Sequence, residues 1–177
     1  MRRYIITGAP GGGKTTILTA LRARGYAVVP EAATDVIARE QARGRTEPWR
    51  DDGFLDRIAR MQHERQQEAV AAAVQIFDRS PICTLALAHY LDRPVTPFLA
   101  GEVERVVAAA VYQPRVFLVR LLGFVTATAA RRITYPESVM FERYHEQAYR
   151  AHGFDLIDVP AGPLEERVDL VERHLRA

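Results

Sequence analysis

The sequence predicts an α/β fold: a parallel sheet with helices packed on both faces. Short runs rich in β-branched residues recur along the 177-residue chain, each bounded by glycine, proline or a charged residue. Segments with helical apolar spacing lie between successive runs. No internal repeat breaks this alternation.

Taken in order, Arg3–Thr7 reads as a buried strand that stops at Gly8. The segment 14–24 places Ile17, Leu18 and Leu21 on one helical face, and Gly25 supplies the C-terminal stop. Tyr26–Val29 is a second strand ending at Pro30, and 32–41 is helical. Arg43–Trp49 carries glycine, proline and charges and reads as a loop. Asp51 and Asp52 are placed to cap a long helix reaching about Ala73, with Phe54, Leu55, Ile58 and Met61 on one face. Val74–Asp78 is a third strand, and Pro81–Leu91 a helix with proline in its first turn. A helix over 98–110, a strand over 115–122, a helix over 136–151, a strand over 154–159 and an amphipathic helix from Leu164 complete the pattern. Such a chain suffices for one domain and is short for two, so a single domain over 1–177 is expected.

Composition removes several classes. Apolar residues make up 48% and charged residues 26%, as in ordinary globular chains. The net charge of +2 provides no field that would favour nucleic acid or an anionic membrane. Cys83 is the lone cysteine, so there is no internal disulfide framework. The opening MRRYIITG passes from two arginines into a β-branched run too short for a signal-peptide core, and no run has the length of a membrane span. A cytoplasmic protein is the expectation; nothing fixes its oligomeric state.

The most specific signal is Gly8-Ala9-Pro10-Gly11-Gly12-Gly13-Lys14-Thr15, which fits G-x-x-x-x-G-K-[ST] in full. Glycines allow a tight turn and let backbone N–H groups approach phosphate oxygens without Cβ clashes. The helix that starts near Lys14 adds the positive end of its dipole. Lys14 is expected on the β- and γ-phosphates, the Thr15 hydroxyl on Mg2+, and Thr16 near the α-phosphate. ATP is the expected nucleotide, with GTP possible.

In a fold of this kind the C-terminal strand ends converge on the γ-phosphate. The third strand ends in Asp78-Arg79-Ser80. Asp78 is the candidate Mg2+ ligand, directly or through water, and Arg79 could hold a phosphoryl oxygen or the acceptor. Glu31, after the second strand, is either a helix N-terminal acid or the base for an acceptor hydroxyl or water. Which of Glu31 and Asp78 is base and which serves Mg2+ stays open at this stage. Arg131 and Arg132 follow the fourth strand, where an arginine on a flap can stabilise charge on the transferring phosphoryl group. Arg120, inside the strand, is a reserve for that role.

Other residues carry weaker signals. His63-Glu64 lacks the second histidine of a zinc helix. His89, His145 and His152 stand isolated and are expected at the surface or half-buried. Cys83 is expected to pack rather than react. Trp49 and Phe54 could line an acceptor pocket, with core the favoured placement.

Together, GAPGGGKTT, VVPEAATDVIARE, FDRSPICTLALAHYL, ARRITYPE and HGFDLIDVP resemble the small AAA-annotated P-loop ATPase/kinase family. That family includes the ribosylnicotinamide-kinase domain of a bacterial NAD regulator and is similar to nucleoside and nucleotide kinases. The resemblance covers nearly the whole chain. It implies a P-loop three-layer sandwich with a five-stranded parallel sheet ordered 2-3-1-4-5. It also implies that Glu31 matches the base after strand two, that Asp78-Arg79-Ser80 matches an acid-Arg-Ser motif, and that Arg131 or Arg132 grips phosphate from a lid over about 123–135. Relatives often carry Asp-x-x-Arg in that lid, where Thr128 stands three residues before Arg131.

The function this implies is a Mg2+-dependent kinase that transfers the γ-phosphate of ATP to a small nucleoside-like, nucleotide-like or other metabolite. The alternative is an ATPase or GTPase switch acting through a protein partner, although the guanine-reading Asn-Lys-x-Asp is absent. A motor of the AAA type would need a helical C-terminal domain, for which the sequence after the fifth strand leaves no room.

Overall fold

The computed structural model describes residues 1–68, 72–123 and 133–176. Five strands form one sheet in the order β2-β3-β1-β4-β5: β1 (Arg2–Thr7), β2 (Ala27–Val29), β3 (Val74–Asp78), β4 (Arg115–Val119) and β5 (Asp155–Val159). Every pairing is parallel, with Ile6 opposite both Asp78 of β3 and Phe117 of β4. Parallel pairing demands crossovers, and helices supply them. The implied strand order is the observed one.

Side-chain alternation along β1 divides the core into two layers. Tyr4 and Ile6 pack with Ile76, Phe117, Val119 and Val159 against α1 (Lys14–Ala23) and α7 (Leu164–Arg176). Ile5, Phe77 and Val116 face the other way, against α2 (Ala32–Ala42), α3 (Phe54–Gln67), α4 (Pro81–Tyr90), α5 (Pro97–Ala108) and α6 (Tyr135–Ala151). The sheet is therefore the middle layer of three. Arg24, at the end of α1, ties that helix to α7 through Asp169, Glu172 and Glu165.

Several details differ from expectation, among them the end of α3 at Gln67 rather than near Ala73. The long helix begins at Phe54 after Gly53, and neither Asp51 nor Asp52 caps it. Asp51 instead pairs with Arg57 at 2.9 Å and Arg45 at 3.3 Å, because ion pairs were open to it where the chain turns. A 3-10 turn, Pro48–Arg50, enters the segment expected to be loop. β4 ends at Val119, so Arg120 lies just beyond the strand. The lid residues Thr128, Arg131 and Arg132 lie outside the described residues. Among the described residues, no helix is long and apolar enough to cross a membrane.

Candidate active site

The cradle fills the connection between β1 and α1 at the C-terminal edge of the sheet. Gly8 has φ +130°, and a Cβ there would stand 2.5 Å from the Val119 carbonyl oxygen. Only glycine lets the loop run this close to the end of β4. Gly13, left-handed at φ +79°, caps α1 without a side-chain bond, leaving the first-turn N–H groups as the ones an anion would take. Lys14 is 8% exposed and donates from Nζ to the carbonyls of Gly8 at 2.7 Å and Ala9 at 2.8 Å. The ammonium thus folds into the concavity of its own loop. Thr15 and Thr16 are exposed at the start of α1, on the open side of the cradle.

The acid-Arg-Ser segment lies alongside. Asp78 ends β3 in register with Ile6 and alternates to the same face as Ile76, the face that carries α1. Arg79 leaves the strand at φ +75°, a left-handed conformation that costs a non-glycine residue about 1 kcal/mol or more. Three contacts hold it there. Its backbone N–H donates to Ile6 O at 3.0 Å, its Nε donates to Glu31 Oε1 at 2.5 Å, and its Nη1 donates to His145 Nε2 at 3.0 Å. His145 Nδ1 donates to the Phe141 carbonyl at 2.9 Å, which fixes the neutral tautomer with its lone pair on Nε2.

The electrostatics follow from this geometry. Burial disfavours a charged Glu31, but Arg79 and then Lys14 outweigh it and hold the carboxyl down at about 2. Burial, reinforced by the Arg79 charge, pushes the His145 imidazole well below its ordinary value. Glu31 also accepts from Thr34 Oγ1 at 2.8 Å and makes no capping bond to α2. Its carboxylate therefore bridges Thr34 on α2 and the Arg79 guanidinium at the cavity wall.

A buried polar cluster supports these groups from below. Tyr149 OH lies 2.7 Å from Ser80 Oγ and 2.9 Å from Cys83 Sγ, and Cys83 Sγ lies 3.0 Å from Thr7 Oγ1. The cluster joins the end of β1 to α4 and α6, and the thiol is buried within it. Packing is the role expected of Cys83, and these bonds add to it.

A cavity of about 550 Å³ opens between Pro10 of the cradle and helices α2, α3, α4 and α6. Glu31 and Arg79 stand on its wall, and Asp78 is not among the residues lining it. Trp49, Phe54, Tyr90 and Phe141 give it aromatic surfaces, and Ile58 an aliphatic one. Phe54 is also buried in the core at 3% exposure, so the core and pocket placements both hold for it. Trp49 is half-buried and lines the cavity. Deeper in, Thr84 Oγ1 donates to Gln62 Oε1 at 3.0 Å, which leaves the amide NH2 of this 94%-buried lining residue as the group available to a ligand.

Two sequence expectations fail here. His145 is fully buried, not a surface or half-buried residue, because it lies on the inward stripe Ser138, Phe141, His145, Ala148, Tyr149 of α6. That i, i+3, i+4 spacing is the signal that could have found it. Arg120 is not available to phosphate: it pairs with Glu142 at 3.0 Å, Asp158 at 2.7 Å and Glu146. His63 pairs with Glu102 at 3.0 Å on the flank of α3. Among the described residues, no group of three or more His, Cys, Asp and Glu side chains could hold a metal by itself. Thr15, exposed at the start of α1, and Asp78, at the end of β3, carry oxygens of the kind Mg2+ takes, so these residue types fit such an ion.

Fold and cradle together define a nucleotide-binding P-loop protein. The sequence matches the AAA domain family over residues 3–167, and the chain belongs to that family. None of the curated proteins matches the sequence. Among solved structures it is similar to deoxyadenosine kinase from M. mycoides with bound dCTP, at TM-score 0.63 and 17% identity, covering 99% of each chain. The same kinase with bound dATP gives TM-score 0.58 at 15% identity, covering 99% of this chain and 100% of that one. NadR protein in complex with NR gives TM-score 0.72 at 16% identity; 99% of this chain is covered and 51% of NadR, so the chain spans about half of that protein. At such identities the likeness establishes the fold.

Proposed function

We propose that this protein is a Mg2+-dependent kinase that transfers the γ-phosphate of ATP to a hydroxyl of a small nucleoside-like acceptor. The observation that carries the reading is that Glu31 and Arg79, joined at 2.5 Å, stand on the wall of a cavity of about 550 Å³ beside the phosphate cradle. A switch acting through a protein partner has no use for a cavity of this size, flat apolar walls and one buried amide donor.

The donor side follows from the loop. Gly8–Thr15 and the N-terminus of α1 bind the triphosphate, Lys14 exchanges its bonds to the Gly8 and Ala9 carbonyls for phosphate oxygens, and Thr16 approaches the α-phosphate. Thr15 and Asp78 would hold Mg2+, which supplies charge neutralisation between the β- and γ-phosphates.

On the acceptor side, Glu31 receives the hydrogen bond of the attacking hydroxyl. A carboxylate held so acidic is a weak base, so its work is orientation, with the proton moving late. A loose phosphoryl-transfer transition state asks little more of it. Arg79, fixed by Glu31 and His145, directs its remaining N–H groups toward the acceptor or the transferring phosphoryl group. Arg131 or Arg132 completes the charge stabilisation from the lid. Where nucleosides dock, the aromatic walls stack the base and the Gln62 amide meets a hydrogen-bond acceptor on it. The deoxyadenosine kinase and NadR likeness supports an acceptor of this kind.

The test is transfer of label from γ-labelled ATP to a panel of nucleosides, nucleotides and related small hydroxyl compounds. A labelled product that requires the acceptor supports the reading. Rapid phosphate release with no acceptor present, and no labelled product from any compound, would overturn it.

A further inference from the structure

Arg167, in the first turn of α7, is 5% exposed and has no ion-pair partner among the described residues. Its Nη2 donates to the Gly12 carbonyl at 2.7 Å and to the Arg120 carbonyl at 3.4 Å, while its buried Nε has no hydrogen-bond partner among the described residues. A Cβ on Gly13 would come within 3.1 Å of Nη1, so the guanidinium packs closely against the cradle backbone. A buried cation without a counter-charge is costly, and a cation near a helix N-terminus opposes the helix dipole. Burial accordingly pulls Arg167 below its ordinary value. Stability does not account for keeping it there. Val168, Val171 and Leu175 in the core and the Arg24 ion pairs already dock α7.

Gly12 C=O and Gly13 N–H belong to one planar trans peptide and point in opposite directions. A guanidinium on the carbonyl fixes that peptide, polarises it and turns the Gly13 N–H away from α7. We propose that Arg167 is a positioning residue of the donor site, presetting the Gly12–Gly13 peptide for a nucleotide triphosphate and gaining its missing counter-charge when that triphosphate binds. The inference rests on triphosphate binding in the cradle and is independent of the acceptor.

The experiment compares the full chain with Arg167→Met, Arg167→Gln and Arg167→Lys, measuring calorimetric affinity for the Mg2+ complex of AMP-PNP and thermal unfolding without nucleotide. Expected is a loss of affinity of about tenfold or more in R167M and R167Q, substantial recovery in R167K, and a nucleotide-free Tm no lower than that of the parent. If R167M does not fold, R167Q decides by the same criterion. AMP-PNP affinity unchanged in the neutral variants overturns the proposal. So does an affinity loss that only follows a lowered nucleotide-free Tm and that Lys does not restore. Failure of the parent chain to bind AMP-PNP would overturn this inference together with the donor-site reading. Tight binding without transfer to any acceptor would leave it standing and remove only the kinase reading.

Discussion

Arg79 donates from Nη1 to the Nε2 of His145 over 3.0 Å, so a buried neutral imidazole, opposite the Glu31 carboxylate, completes the hold on this guanidinium. The arrangement satisfies a second arm of the arginine without adding a further charge beside it. A second carboxylate in place of His145 would add a charge that the site would have to neutralise again when phosphate arrives.

This pairing gives stability a pH signature. The native pKa of His145 is depressed by burial and then by Arg79, whereas the unfolded histidine titrates near 6.5. Below about pH 6.5 the unfolded state takes up a proton that the native state refuses, so stability is present above that pH and is lost as pH falls. Thermal unfolding of the parent chain should show a falling Tm between about pH 7 and about pH 5, and His145→Gln should flatten that slope. An equal slope in the variant would remove His145 as its source.

Glu31→Gln removes the carboxylate that faces both Arg79 and the cavity. Transfer should fall by about 10²-fold or more, while ATP binding, which depends on the cradle, stays within about twofold. The variant also strands a mostly buried guanidinium and should lose about 2 kcal/mol of stability. In the parent chain the Glu31 contribution is present above about pH 4.5 and is lost as pH falls toward about 2, because its native carboxyl is the stronger acid. Steady-state turnover, nucleotide titration and chemical denaturation check the three parts. Unchanged turnover would remove Glu31 from the mechanism.

Most of the fold was legible because its signals are local. The β-branched runs ending at Gly8, Pro30 and Asp78 mark strand ends, and the glycine-lysine-threonine loop marks the donor site. What stayed hidden depends on contacts distant in sequence. Arg120 looked available until its carboxylates on α6 and β5 were in place, residues 22 to 38 positions away. His145 and Arg167 both lie on buried helical stripes, yet a polar residue on such a stripe does not reveal whether it meets Arg79 or the Gly12 carbonyl. Asp51 satisfied the composition of a cap, and only the fold showed that Arg57 takes it first. The cavity draws its walls from five separate segments, so no single stretch of sequence announces it.

Gly8→Ala should fail for a steric reason. The new Cβ would sit 2.5 Å from the Val119 carbonyl oxygen at a φ of +130°, so either β4 or the cradle must move. A stability loss of about 2 kcal/mol or more is expected, with AMP-PNP binding abolished or nearly so. Gly25→Ala, also at positive φ but with no atom within 4 Å of the added Cβ, is the control that carries backbone strain alone. It should lose about 1 kcal/mol and bind nucleotide normally, as denaturation and calorimetry would show.

The buried amide gives the sharpest test of the acceptor side. Thr84 fixes Gln62 Oε1, so the NH2 group is the face offered to a ligand. Gln62→Leu keeps the volume and removes the donor, leaving a matching acceptor atom on the substrate without its partner. For whichever acceptor the panel identifies, KM should rise by about 10-fold or more while KM for ATP stays unchanged. Thr84→Val should act in the same direction more weakly, since it frees the amide to rotate without deleting it. If Gln62→Leu raised KM for ATP and acceptor equally, the amide would be acting on the fold, and the cavity would lose its assignment as the acceptor site.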